Sequence, residues 1–213
     1  MIAVYTAIFG NYDTLRPVKI IDPDVDYICF TDKLIESVPA PWQVCVVDLP
    51  HPDTRYASRY YFDQSTLVLP DYEYTIMHGG NAALLVTLPS ILSFVQDTDI
   101  AAFKHPHRNS VYAEPSVCAL MGKGDFSQMA AQVERYSAEG FSGEPFSACT
   151  MLVRHNTKAI QEFERLWWRE VAGGSHRDQL SFDYCRWKCG LPITYIPGDP
   201  FANMYVSVKL RHE

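Results

Sequence analysis

The chain has 213 residues, 47% of them hydrophobic, enough to bury a sizeable core within one compact domain. Its formal net charge of −7, with no basic tract, argues against a duplex DNA backbone as the main partner and leaves room for a small cationic site. No run reaches the roughly 18 to 20 apolar residues of a membrane span, and the apolar stretch 2–9 has neither a basic flank nor a cleavage pattern, so a soluble, cytoplasmic protein is expected.

Read in chain order, "IAVYTAIF" is a buried strand that ends at the turn "GNYD". "DYICFTD" (26–32) and the valine-rich "WQVCVVDL" (42–49) predict two further strands. Residues 52–70 have helical character, with Arg55 and Arg59 one turn apart on one face. "YEYTIM" predicts a strand that delivers the chain to His78-Gly79-Gly80-Asn81. A helix over 88–98, with Pro89 in its first turn, precedes the strand "DIAAFKH". A helix over 127–141 closes at Gly140, and a strand follows over 148–155. The next helix is capped by Asn156, carries Ile160, Phe163, Trp167 and Val171 on one side, and ends at Gly173-Gly174. A helix over 175–190 and the strand "ITYIP" complete the pattern, and the tail 201–213 is expected to be irregular or weakly extended. Strands alternating with helices predict a mainly parallel or mixed sheet with helices on both faces.

Six scattered cysteines (29, 45, 118, 149, 185 and 189) are expected as free, mostly buried thiols. Cys185 and Cys189 lie one helical turn apart, but no second close pair completes a zinc site.

Open α/β sheets bind ligands beyond the carboxyl ends of their strands, and polar groups gather there. They are Gly10, Asn11, Tyr12 and Asp13; Thr31 and Asp32; His78 to Asn81; Lys104, His105, Pro106, His107 and Arg108; and His176, Arg177, Asp178 and Gln179 near a late helix start. Each cluster also has a plainer reading. "GNYD" and Gly79-Gly80 suit ordinary turns, "KHPHR" suits a solvated loop, and Ser175 with Asp178 forms a helix capping box. The chain lacks G-x-G-x-x-G, G-x-x-x-x-G-K-[ST] and G-x-S-x-G, which removes dinucleotide dehydrogenases, P-loop NTPases and α/β-hydrolases.

"VYTAIFGNYDTLRPV", "DYICFTD", Arg55/Arg59, "LPDYEYTIMHGGNAAL", "FKHPHRNSVYAE", "RYSAEGF" and "HRDQLSF" occur in that order. Together they resemble the TOD1/MUCI70-type glycosyltransferase-like family over about residues 2 to 190. The resemblance implies a single GT-A-like domain, a mixed, mainly parallel sheet flanked by helices. A nucleotide-sugar-binding half would span about 1–100 and an acceptor-binding half about 101–213. The chain departs from the family at "IMHGGN", where members usually read like "IWIDGN". Gly79 stands where an aspartate is expected to serve a divalent metal. Phe62 and Ser65-Thr66 likewise replace a lysine and a Pro-His pair.

The implied activity is transfer of a sugar from a nucleotide-diphosphate sugar, a UDP-sugar, to a hydroxyl. Thr6, Asn11, Tyr12 and Asp32 are expected to hold the nucleoside, and Arg59, helped by Arg55, the diphosphate. In such a fold the turn at 78–81 lies beside the diphosphate, so His78 and Asn81 are expected at its junction with the sugar, with Gly79 and Gly80 allowing close backbone approach. Lys104, His105, Arg108 and Arg177 are further donor-side cations. Mn²⁺ or Mg²⁺ is expected to bind weakly, because hard ions prefer carboxylates and position 79 has none. Asp178, with Gln179 beside it, is the candidate base or sugar-contacting carboxylate. The acceptor could be a glycan, a protein or modified nucleic acid, the last opposed by the −7 charge. A degenerate member that binds nucleotide sugar or glycan without turnover is the alternative.

Overall fold

The computed structural model describes residues 1–209, so residues 210–213 of the expected tail lie outside the described residues. Four parallel strands come first: β1 (Ile2–Ile8), β2 (Val25–Thr31), β3 (Gln43–Val46) and β4 (Tyr74–His78). With β6 (Ile100–Lys104), β7 (Ser147–His155) and β8 (Thr194–Ile196) they build one seven-stranded sheet in the order β3-β2-β1-β4-β7-β6-β8. Strand β7 runs antiparallel to both its neighbours, so the sheet is mixed. Strand β5 (Ala82–Leu84) pairs instead with β9 (Val206–Val208) in a separate two-stranded ribbon.

Strand β1 is buried on both faces, which explains its unbroken apolar run. Ala3, Tyr5, Ala7 and Phe9 join one core, and Val4 and Ile8 the other. The first core packs under α1 (Thr54–Asp63), α2 (Ser65–Val68), α4 (Glu114–Leu120), α5 (Phe126–Ala138), α6 (Lys158–Gly173) and α7 (Gln179–Lys188). The second core lies under α3 (Leu88–Leu92), Trp42 and the β5–β9 ribbon. Both faces therefore carry helices, but unequally.

Several boundaries differ from the sequence expectation for identifiable reasons. The expected helix 52–70 breaks at Gln64, because Glu164 of α6 accepts the Ser65 and Thr66 amides at 3.0 and 2.9 Å and so starts a new helix there. Thr157, not Asn156, caps α6; the side-chain Nδ2 of Asn156 donates to Tyr72 O at 2.8 Å. The expected helix 175–190 starts only at Gln179. Its cap is Asp178, whose side chain accepts the Gln179 amide at 2.9 Å, while Ser175 Oγ accepts from Arg177 N. Strand β3 is a short edge piece rather than a run over 42–49. Helix α4 and the β5–β9 ribbon had no counterpart in the sequence reading.

Candidate functional site

A cleft of about 440 Å³ opens beyond the carboxyl ends of β1 and β4. Ala7 to Phe9, Tyr12 and Asp13 form one wall, and Met77 and the turn Gly79 to Ala82 form another. Helix α1 contributes Thr54, Arg55, Ser58, Arg59 and Phe62, which share one face at helical spacing. The approach to α7 contributes His176 to Gln179, and the loop between α4 and α5 contributes Gly122 to Gly124. The register of β7 against β6 jumps from Leu152 to Ala148, and within this bulge Cys149 and Thr150 reach the cleft floor. Phe201 and Val208 close it from the C-terminal side.

The cleft is locally positive in an acidic chain. Arg55, Arg59, Lys123 and Arg177 line it against the carboxylates Asp13 and Asp178. The N-termini of α1 and α7 both meet it, adding the partial positive charge of unpaired helix amides. Arg59 Nη1 lies 3.1 Å from Asp178 Oδ2, a charge contact without hydrogen-bond alignment. Arg59 Nε, Arg177 Nε and Thr150 Oγ1 are buried without a hydrogen-bond partner among the described residues. Buried polar atoms are rarely left so, and three on one cleft mark it as a place for a polar ligand. His176 is pushed down to about 4 by burial and then by Arg55, Arg177 and Arg59, so it presents a neutral ring.

Beneath the cleft lies Asp63, one helical turn on from Arg59 and fully buried. Neither carboxyl oxygen has a hydrogen-bond partner among the described residues. Its pKa is raised well above the carboxylate range, first by burial and then by the charge of Asp178, against the opposing pull of Arg59 and Arg154.

Tyr12, Arg55, Arg59, Gly79, Gly80, Asn81, Arg177, Asp178 and Gln179 thus meet at one cleft. Asn11 and Asp32 are not among the cleft-lining residues. Asn11 has φ 55, following Gly10 at φ 64, and Asp32 Oδ1 accepts the Gly10 amide at 3.0 Å. Thr6 is enclosed in β1 with its hydroxyl unpartnered, at a position whose parity matches Val4 and Ile8 on the opposite face. His78 likewise faces away from the cleft. Its ring packs on Trp42 at 5.9 Å, and burial lowers its pKa.

His105 and Arg108 do not line the cleft but stand one layer behind it. Arg108 Nε lies 2.5 Å from the buried Glu114, whose other oxygen is 3.6 Å from Arg177 Nη2 and 3.5 Å from Gln179 Nε2. Glu114 thereby ties the "KHPHR" loop to the start of α7. His105 stacks on Phe146 and is pushed down to about 4, by burial first and then by Arg108. The exposed Lys104 is not among the cleft-lining residues. The sequence did not point to Thr54, Ser58, Lys123, Cys149, Thr150 or Phe201 as site residues, and Phe62 stood out only as a departure from the family pattern. Of these, Thr54 and Ser58 carried a usable signal, since they sit at helical spacing around the Arg55/Arg59 pair.

The glycines of the turn differ. Gly80 is required by packing: a Cβ there would come within 2.7 Å of Ile8 Cγ1 and 3.0 Å of Asp13 Cβ. Gly79 lies outside the left-handed region, and a Cβ there would meet only the side chain of Asn81.

Among the described residues no helix is long and apolar enough to cross a membrane, and no three His, Cys, Asp or Glu side chains gather as a metal site. The TOD1/MUCI70 glycosyltransferase-like domain model matches residues 1–204. A probable hexosyltransferase of Arabidopsis thaliana, MUCI70, is 25% identical over 242 residues, covering 99% of this chain and 40% of that protein. Among solved structures, the apo form of the bifunctional glycosyltransferase WbbM superposes with a TM-score of 0.52 at 10% identity, over 92% of this chain and 38% of that one. The chain thus spans about 40% of the length of each relative. The likeness to WbbM is one of fold, and with the mixed sheet order it makes the architecture GT-A-like, in a single domain.

Proposed function

We propose that this chain, which belongs to the TOD1/MUCI70 glycosyltransferase-like family, transfers a hexosyl group from a nucleotide-diphosphate sugar, a UDP-sugar, to an acceptor hydroxyl. The observation that carries this reading is the cation-rich cleft, with two buried guanidinium N–H groups left unpaired, at the strand ends of a GT-A-like sheet. A diphosphate offers charged oxygens to which these cations can donate in addition to their present carboxylate contacts. The relative's name, hexosyltransferase, supports the sugar class.

In this reading the nucleoside lies toward Tyr12 and the β1–β2 rim, and the diphosphate lies against Arg55 and Arg59. Asp178 accepts the acceptor's hydroxyl proton as its oxygen bonds to the anomeric carbon. The bond from that carbon to the donor phosphate oxygen breaks, and its electron pair leaves with UDP. The donor set does not fit a strongly held divalent ion. Position 79 supplies no carboxylate, and Asp178 already faces Arg59. No step is assigned to a metal; the charge of the diphosphate is met by side-chain cations.

A second reading, binding of nucleotide sugar or glycan without turnover, is favoured by the same two facts about Gly79 and Asp178. The two separate on release of UDP from a panel of UDP-hexoses, with and without Mn²⁺, alongside calorimetric titration of UDP and uridine. Binding of UDP well above uridine, with UDP release, supports the transferase. Binding without release supports the second reading, and UDP binding no better than uridine overturns the transferase and leaves the second reading only its glycan form.

A further inference from the structure

Of the four cationic side chains lining the cleft, three are already engaged. Arg55 pairs with Asp53, Nη2 to Oδ2 at 2.5 Å; Arg59 faces Asp178 at 3.1 Å; Arg177 lies 3.6 Å from Glu114. The fourth, Lys123, is exposed, and among the described residues its ammonium has neither a hydrogen bond nor an ion pair. Its uncompensated charge is the one the protein itself does not use.

The mounting of Lys123 is equally specific. It sits between Gly122 at φ 66 and Gly124 at φ 126, conformations that L side chains rarely adopt. The backbone amide of Lys123 donates to Cys118 O at 2.8 Å, which pins the loop's base to α4. On one flank a Cβ at Gly124 would be 3.6 Å from His176 Cε1, so the loop abuts the approach to α7. On the other, a Cβ at Gly122 would meet nothing within 4 Å. The neighbouring apolar residues Leu120, Met121 and Phe126 are exposed, so little burial restrains the loop laterally. A long side chain on such a loop can follow a charge that moves during reaction.

Resting on the UDP-sugar reading of the cleft, we propose that Lys123 is a catalytic residue that neutralises the terminal phosphate of the departing nucleoside diphosphate, the charge a divalent ion would otherwise meet at a carboxylate-bearing turn. As the anomeric carbon–oxygen bond breaks, its electron pair settles on the terminal phosphate oxygen. The ammonium of Lys123 donates a charge-assisted hydrogen bond to that oxygen and keeps its proton.

The test compares wild type with Lys123→Ala and Lys123→Arg, using Lys158→Ala, at the distant start of α6, as a control. Affinities for UDP, UMP and uridine are measured by calorimetry in EDTA and again in Mn²⁺, and UDP release from UDP-hexoses gives the rate. The expected result is a UDP-over-UMP preference that falls about tenfold in Lys123→Ala, with uridine binding unchanged and most of the preference kept in Lys123→Arg. UDP release should fall about 100-fold and should not be restored by Mn²⁺. An unchanged UDP-over-UMP preference in Lys123→Ala overturns the role of Lys123 while leaving the site reading intact. A wild type that fails to prefer UDP to uridine overturns the site reading and this role with it.

Discussion

Arg59 and Asp178 face each other across the cleft, Nη1 to Oδ2 at 3.1 Å, and join α1 to the start of α7. The same carboxylate accepts the Gln179 amide through Oδ1 at 2.9 Å, and the Asp178 carbonyl accepts the Trp167 indole at 2.9 Å. Helix cap, cross-cleft partner and candidate base are thus one side chain on a backbone fixed by a buried tryptophan.

Asp178→Asn separates these functions. Asparagine caps helices as well as aspartate, so stability should change by no more than about 1 kcal/mol. Transfer should fall about 100-fold or more for want of a base. UDP affinity should rise, because removing an anion leaves Arg59 to the diphosphate. UDP release within threefold of wild type, alongside an unchanged melting temperature, would retire the catalytic role.

Arg59→Ala should weaken UDP binding at least about tenfold more than uridine binding, since a guanidinium pairs with charged oxygens and not with a nucleoside. Parallel titrations of the two ligands decide it. Equal losses would mean that Arg59 acts through folding, by its contacts with Asp178 and the Phe62 ring.

The two glycines of the 79–80 turn should respond in opposite ways. Gly79→Asp needs only a shift of the Asn81 side chain, so it should fold with a loss of about 1 kcal/mol and acquire Mn²⁺-dependent UDP binding. Gly80→Ala drives a methyl into Ile8 and Asp13 and should cost about 1–3 kcal/mol. Denaturant titration of both variants and UDP titration with and without Mn²⁺ measure the contrast. A folded Gly79→Asp protein indifferent to Mn²⁺ would place the metal-binding side of the family turn elsewhere.

Asp63 supplies a pH signature. Its folded pKa is raised, so between roughly 3.9, the unfolded value, and the higher folded value, the native state holds a proton that the unfolded chain has lost. Native stability from this group is therefore fully present below that window and declines as pH rises through it. Asp63→Asn, neutral throughout, should remove that component of the slope and be the more stable protein at pH 7. Denaturant midpoints of both proteins across the acidic-to-neutral range test this; parallel profiles would mean that Asp63 titrates as an ordinary carboxylate.

Much of the sheet was visible because strands buried on both faces must be unbroken apolar runs, as β1 is. The helix face of Arg55 and Arg59 was visible because charge recurs there at one turn's spacing. The orientation of individual strand residues was not. Period-two alternation puts Thr6 with Val4 and Ile8, and His78 with Ile76, but which face carries the cleft depends on where α1 and α7 pack. Arg108 read as a strand-end cation because its partner, Glu114, lay in a stretch with no helical signal. Lys123 was hidden for a related reason: one lysine between two glycines looks like any solvated turn until the fold brings it to the cleft that Arg59 and Asp178 also line.

The ribbon of β5 and β9 carries a consequence for synthesis. Asn81 and Lys209, 128 positions apart, exchange hydrogen bonds of 2.8 and 3.0 Å, and Arg16 Nη1 reaches both Asn81 O and Ser207 O at 3.2 Å. On the ribosome the nascent chain can assemble β1 to β4 early, yet the turn beside the cleft gains its pairing strand only after residue 209 has emerged. The cleft wall that carries Asn81 is therefore completed only at the end of translation of this segment, and a product released after β8 but before β9 has its main sheet strands and an unfinished mouth.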